Sequence, residues 1–290
     1  MRNRRLLTAA LLCALCLMLC VSASAQVYLA QPPADWEDKE LFKLTVFDVN
    51  EGDAMLLECG GEAMMIDGGP NPFREDLKNA LEARGYSHFK YLFSTHFHDD
   101  HINGLYQLMT YGFTADEFIH SYNPGTVNRD KLHGRAIRQA DKNGIPNRKV
   151  DEGDVLTLGS ATLNIHRYGE INNANGRSLT VKLTFGDSSV LFCADIIGKT
   201  QEYFTATLPA DELKADVIKY PHHGITPCNS DFLTAVDPEF AIVTNRSKDV
   251  SKTTNQITNR GFPAMYSGDG TVYLVTDGTD WYVWQTPGEF

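Results

Sequence analysis

Beyond residue 21 the sequence has no apolar run long enough to cross a bilayer, since a spanning helix needs about 20 consecutive apolar residues. Cysteine is scarce as well. Of six cysteines, Cys13, Cys16 and Cys20 crowd the N-terminus, and only Cys59, Cys193 and Cys228 follow. An odd, sparse set of thiols argues against a disulfide framework. Positive charge is in deficit: 26 Lys+Arg stand against 37 Asp+Glu, a formal net charge of −11. That disfavours a broad electrostatic footprint on DNA or anionic membranes. A fixed-period repeat and a low-complexity linker are also missing, so one sizeable domain is expected.

The N-terminus reads as a targeting segment. Arg2, Arg4 and Arg5 precede an apolar stretch from Leu6 to Val21, and Ala23-Ser24-Ala25 has the small-x-small pattern of a cleavage site. Residues 1–25 are therefore expected to be a signal peptide, 26–40 an extended leader and 41–290 a single domain, in a secreted or extracytoplasmic protein. Lipid anchoring at Cys20 is less favoured, because Leu19 is bulky where a small residue is wanted. Residues 1–25 hold three arginines and no acid, so their removal takes Lys+Arg to 23 against 37 Asp+Glu, a net charge of −14.

Within the domain, blocks of short strands alternate with helical stretches. Leu41–Val49 alternates imperfectly, with Leu44 and Val46 on one face and Phe42, Lys43 and Phe47 on the other. Ala54–Glu58, Ala63–Ile66, Phe89–Ser94 and Val190–Ala194 read as further strands, and 102–110 as a helix following a bend. The pattern predicts a layered α/β domain, two sheets flanked by helices.

The chemistry concentrates in Ser94-Thr95-His96-Phe97-His98-Asp99-Asp100-His101. His96 and His98 are two apart and face one side of an extended segment, and Asp100 and His101 follow. Imidazole and carboxylate donors at this density suit zinc, manganese or iron. Asp195 ends an otherwise apolar strand, where an unpartnered carboxylate would be costly, and between two metals it could bridge them. In Tyr220-Pro221-His222-His223-Gly224 the adjacent rings point in two directions. His222 is expected as the ligand and His223 at the substrate or supporting the ligands from behind. Asp53 and Asp67 read as carboxylates that support the ligands rather than bind metal.

These residues resemble the metallo-β-lactamase superfamily. More narrowly, they are similar to the hydrolase domain of the bacterial competence channel protein ComEC and its stand-alone relatives. The resemblance rests on Asn50-Glu51-Gly52-Asp53-Ala54, Ile66-Asp67-Gly68-Gly69, the His96–His101 cluster, Asn172–Leu179, Phe192–Ile196 and Ala215–Gly224. It implies a four-layer αββα sandwich and two divalent metal ions, zinc or manganese. His96 and His98 would hold one metal, Asp100, His101 and His222 the other, and Asp195 would bridge. Lactamases of the superfamily usually carry another histidine between the cluster and the bridging aspartate. Ile171–Leu179 has none, as in the competence-type branch, which leaves the first metal one ligand short. Asn173, Ser178 or water could fill that place.

The resemblance thus implies a metal-dependent hydrolase, and the branch a phosphoesterase acting on a phosphorylated small molecule or polymer. Nucleic acid is possible as substrate but not favoured by net charge. A metal-bound hydroxide would attack, with Asp100 orienting it and His223, Asn175 and Arg177 holding substrate. The alternatives are lactam or ester hydrolysis in the same superfamily, and a non-catalytic binding module on the same scaffold.

Overall fold

The computed structural model describes residues 25–36, 39–122, 131–288 and 290. Apart from Ala25, the expected signal peptide lies outside the described residues. One sheet runs from β1 (Val27–Tyr28) through β16 (Trp281–Thr286), β15 (Thr271–Thr276), β2 (Phe42–Val46), β3 (Ala54–Cys59), β4 (Glu62–Gly68), β5 (His88–Phe93) and β6 (Thr114–His120) to β7 (Asn147–Lys149). The other runs from β14 (Ala264–Tyr266) through β13 (Phe240–Val243), β12 (Val217–Lys219), β11 (Ser188–Phe192), β10 (Thr180–Phe185) and β9 (Ala161–His166) to β8 (Val155–Leu158).

Strand alternation builds three apolar layers. In β11, Val190 and Phe192 face the other sheet and share the central core with Leu183 of β10 and with Ile66 and Phe93 of that sheet. Leu191 and Cys193 face outward and pack beneath helices. A strand buried on both faces has no polar side to show, which is why β11 reads as a continuous apolar run. α1 (Arg74–Ala83), α2 (Asp99–Thr110) and α3 (Leu132–Lys142) cover the first sheet through Leu77, Leu105 and Ala136. α4 (Gly198–Thr207), α5 (Ala210–Leu213), α6 (Ser230–Val236), α7 (Ser247–Val250) and α8 (Asn255–Arg260) cover the second through Phe204, Leu213, Phe232, Val250 and Ile257. The protein is the expected four-layer αββα sandwich.

Two local expectations are corrected. Phe42 points inward with Leu44 and Val46, and only Lys43 of this group is exposed, because β2 keeps a strict two-residue period. The helix expected from residue 102 begins at Asp99, so Asp100 and His101 stand in its first turn and His98 is its N-cap. Two short strands, β1 and β7, join the first sheet by parallel pairing with β16 and β6.

The topology decides where side chains meet. β4 runs parallel to β5, with Ile66 opposite Phe93, and β11, β12 and β13 run parallel in the other sheet, with Leu191 opposite Ile218 and Ile218 opposite Ala241. The ends of these strands and the segments that follow them carry Asp67, the His96–His101 cluster, Asp195, His223 and Thr244 to one edge of the sandwich. Crevices at the carboxyl ends of parallel strands are where α/β sheets place ligand sites.

Candidate metal centre

The site is braced by main-chain contacts before any side chain is considered. Gly68 and Gly104 touch backbone to backbone: a Cβ on Gly104 would lie 1.8 Å from the Gly68 carbonyl oxygen. The Gly104 amide donates to the Gly69 carbonyl at 3.0 Å. This contact sets the first turns of α2 against the end of β4, and so His101 against Asp67. On the other side, the Asp53 amide donates to the Asp100 carbonyl at 3.1 Å. Backbone strain gathers here as well. Asn50, Asp67, Ala194, His222 and His223 all adopt left-handed φ between 46° and 61°. Such residues cost about 1–3 kcal/mol each and persist where surrounding contacts over-determine them.

His101 and His223 are fully buried and face each other. The His101 Nδ1–H donates to Asp67 Oδ2 at 2.8 Å, and Asp67 also accepts from the Thr95 amide at 2.9 Å and the Thr95 hydroxyl at 2.6 Å. His223 Nδ1 lies 2.9 Å from Thr244 Oγ1, whose own hydrogen goes to Asp53 Oδ1 at 2.7 Å, so the ring nitrogen donates to the hydroxyl oxygen. With both protons on Nδ1, both Nε2 lone pairs point into one space, 3.1 Å apart. Asp195 Oδ1 is 3.2 Å from each of them, and Asp100 Oδ2 is 3.2 Å from His223 Nε2 and 3.8 Å from His101 Nε2. The edge of a tetrahedron around a zinc with bonds of roughly 2.0 Å is about 3.3 Å. These atoms fit one divalent cation. Two lone pairs and two carboxylates would otherwise repel.

A second group shares the same carboxylate. His96 Nε2 is 3.6 Å from Asp195 Oδ2, and the His96 and His98 ring centres are 4.6 Å apart. His96, His98 and Asp195 could hold a second ion. Asp195 thus presents one oxygen to each group. Among the described residues, His96 Nε2 and Asp195 Oδ1 are buried polar atoms with no hydrogen-bond partner. Orphans of this kind are rare in folded proteins, and a cation explains both.

Electrostatics agree. Burial resists charging His101, but Asp195, Asp67 and Asp53 outweigh it and push the imidazole up to about 10. Without metal, a proton takes the place between the carboxylates. Burial likewise works against ionising Asp195, yet His223 and His101 hold it well below the usual carboxylate range. Burial, with His101 beside it, keeps His96 well below the ordinary imidazole value.

The structure differs from the sequence reading at the adjacent histidines. His223, not His222, enters the buried group. Left-handed φ at both residues turns the chain sharply after Pro221 and sends the second ring inward. His222 is half-buried, with Asn175 Nδ2 3.1 Å from its Nε2. Asn173 is exposed, and its side chain accepts from the Gly176 amide at 2.9 Å, closing its own turn. Arg177 Nε donates to the Ile171 carbonyl of the same loop. Both side chains thus bond within their own loop and hold its shape. Ser178 lies next to them: the following residue's amide, Leu179, donates to the Thr95 carbonyl at 3.0 Å. Among the described residues, Ser178 Oγ and Asn175 Oδ1 are buried without partners.

Sequence reasoning missed Lys219. It is fully buried at the end of β12, with Nζ 2.6 Å from Asp53 Oδ2 and donating to the Ala194 carbonyl at 3.0 Å. Burial alone would raise the Asp53 pKa, but Lys219 foremost, with His223 and His101, holds it well below the usual range. Asp53 therefore answers a lysine and sits behind the His223 ring. A charged residue inside Val217-Ile218-Lys219-Tyr220 was the signal available.

The family pattern of the metallo-β-lactamase superfamily matches residues 48–239, and every residue of both donor groups falls within it. The chain belongs to this superfamily. Superfamily members are typically metal-dependent hydrolases with dinuclear sites. Among solved structures, the metallo-β-lactamase fold protein YhfI from Bacillus subtilis is 13% identical with a TM-score of 0.52, over 85% of this chain and 100% of its own. CmlA, a diiron β-hydroxylase from Streptomyces venezuelae, is 13% identical with a TM-score of 0.54, over 85% of this chain. The match covers 55% of CmlA, so this superfamily member spans about half its length. At such identities the likeness is one of fold. No curated protein matches the chain.

Proposed function

We propose that the protein is an exported metal-dependent phosphoesterase, related to the hydrolase domain of competence channel proteins. The observation that carries this reading is the Asp195 carboxylate, with one oxygen 3.2 Å from His101 and His223 Nε2 and the other 3.6 Å from His96 Nε2. A shared carboxylate between two donor groups suits a two-metal hydrolase. The lack of a histidine in Ile171–Leu179 favours phosphoester over lactam or ester substrates.

His101, His223, Asp195 and Asp100 would hold one divalent cation, and His96, His98 and Asp195 the other. When bound, such ions lower the pKa of water towards about 7 and stabilise charge on a phosphoryl oxygen. The chain supplies orientation and proton handling. Asp67 and Thr244 hold the protons of His101 and His223 on Nδ1, so that both Nε2 atoms stay available. Asp100 is the one carboxylate of the group open to solvent, its side chain 33% exposed. Burial opposes its ionisation, but the bond to His223 and the His101 charge hold it below the usual carboxylate range, so it stays an anion, suited to hold a cation or to orient a water rather than to take up a proton. His222 and Asn175, half-buried and mutually bonded, stand where substrate would meet the metal residues.

The test is metal analysis of the purified protein, then turnover of bis(4-nitrophenyl) phosphate and a chromogenic cephalosporin with zinc, manganese or iron. Iron is included because CmlA is a diiron enzyme of similar fold. Phosphodiester turnover that needs metal supports the reading. Faster turnover of the cephalosporin would replace it with lactam hydrolysis. A metal-free protein unresponsive to added metal would leave a binding module.

A further inference from the structure

Phe97 stands between His96 and His98, and its side chain is 42% exposed. It borders a cavity of about 650 Å³, which Phe97, His98, Asp99 and Asp100 line on one side and Lys131, Leu132 and His133, at the start of α3, on the other. That volume is within the range of small-molecule sites, roughly 300–1,000 Å³. The cavity is continuous with the metal centre, because His98 and Asp100 belong to both.

Part of its wall is aromatic, with two carboxylates beside it. The Phe97 ring centre is 5.2 Å from that of His133 and 6.3 Å from that of Tyr122, and Tyr122 and His133 are 5.4 Å apart. Tyr122 is anchored in turn, its hydroxyl 2.6 Å from Ser94 Oγ, which donates to the His96 carbonyl at 2.9 Å. Phe97 is therefore fixed by other rings while much of it stays uncovered. Burial, helped by Lys131, lowers the His133 pKa, which leaves its ring neutral at neutral pH. Among the described residues Leu132 is the one aliphatic side chain in this wall, which suits a flat ring better than an alkyl chain. Lys131 adds a positive charge at the rim.

We propose that this cavity is a nucleobase subsite: the base of a short nucleotide stacks on Phe97 beside His133 while its phosphodiester lies over the metal residues. The inference rests on the phosphoesterase reading and narrows its substrate class. A short nucleotide also suits a chain of net charge −11, which offers little to a long polyanion.

The experiment compares two diesters with the same leaving group, thymidine 5′-(4-nitrophenyl phosphate) and methyl 4-nitrophenyl phosphate, on the metal-loaded protein. Stacking one base on an aromatic side chain predicts a kcat/KM preference of about 5- to 150-fold for the thymidine ester. Phe97→Ala is expected to collapse that ratio towards one, Phe97→Leu to lose most of it, and Phe97→Tyr to retain it. Equal kcat/KM for both esters in the unmutated protein would overturn the subsite while the phosphoesterase reading stands. So would a parallel loss on both esters in Phe97→Ala, or a full ratio in Phe97→Leu. Hydrolysis of neither ester would instead remove the phosphoesterase reading. Calorimetry then judges the subsite by itself: tighter binding of thymidine 5′-phosphate than of deoxyribose 5-phosphate supports it, and equal affinity overturns it.

Discussion

The two halves of the metal centre are built differently. On the His101/His223 side both rings have support behind them: Asp67 and Thr95 hold one, and Thr244, Asp53 and Lys219 back the other. Four donor atoms already stand at about tetrahedral spacing. On the His96/His98 side there are two rings and one oxygen of Asp195. The neighbouring Ser178 and Asn175 each keep a buried atom without a partner, among the described residues. One half is organised by the fold in advance. The other has to be completed by what binds. The lesson is that the support behind a ligand, more than the count of histidines, decides how far a site is prepared.

The sharpest way to break this contrast is to remove what the halves share. Asp195→Ala is expected to lower phosphodiesterase kcat/KM by about 100- to 1,000-fold, on the scale of losing a main charge-stabilising group. Metal content should fall while the circular dichroism stays native. Retention of both metals and activity would mean that the halves are independent.

Next in size is the support itself. Lys219→Met leaves Asp53 as an uncompensated buried charge and should cost about 3–5 kcal/mol in urea unfolding. Replacing both members, Lys219→Met with Asp53→Leu, should recover much of that loss while metal affinity stays weakened, because His223 has lost its backing. A single-variant cost under about 1 kcal/mol would show that the prepared half does not depend on this pair.

The open half can be tested by completing it. Ser178→His places an imidazole beside His96, and the affinity for a second metal ion should rise at least about tenfold, or 1.4 kcal/mol. Titration of the one-metal form measures it. No change in affinity would mean that position 178 is not the missing corner.

The smallest effect lies away from the centre and serves as a control. His166 bonds Glu152 at 3.1 Å and Glu212 at 2.9 Å. Burial lowers its pKa, but the two carboxylates outweigh burial and raise it above the ordinary imidazole value. A raised histidine pKa stabilises the fold at pH below the unfolded value, and that contribution fades as pH rises through the folded value. The stability difference between the unmutated protein and His166→Asn should be about 1 kcal/mol near pH 6 and shrink towards pH 8. Metal affinity should not follow it, since His166 is bonded away from both donor groups.

Much of this was legible in the chain. Val190–Phe192 and Met64–Ile66 are apolar on both faces because both faces are buried, and an apolar run of that length bounded by turns reads as an inner strand. The His96–His101 cluster, Asp195 and the carboxylates Asp53 and Asp67 stand out because charge at the end of an apolar strand needs a partner. The order of His222 and His223 was not legible. It depends on two consecutive left-handed residues, which leave no periodic trace. Nor could spacing reveal that Asn173 and Arg177 spend their side chains on their own loop, since a short hydrogen bond to a neighbouring backbone group competes with any contact at longer range. The parallel partners β1 and β7 are only two and three residues long, too short for a pattern.

The touching backbones of Gly68 and Gly104 have a further consequence. Main-chain atoms in contact have no rotamers to sample, so the register between β4 and α2 is indifferent to how the outer helices repack. Heat or a cavity in that helical layer should therefore erode stability well before it blurs the aim of His101. The reverse holds for the smallest addition: one methyl group at position 104, invisible to charge and polarity, would pry Asp67 from His101 and disarm the centre in a protein that still folds.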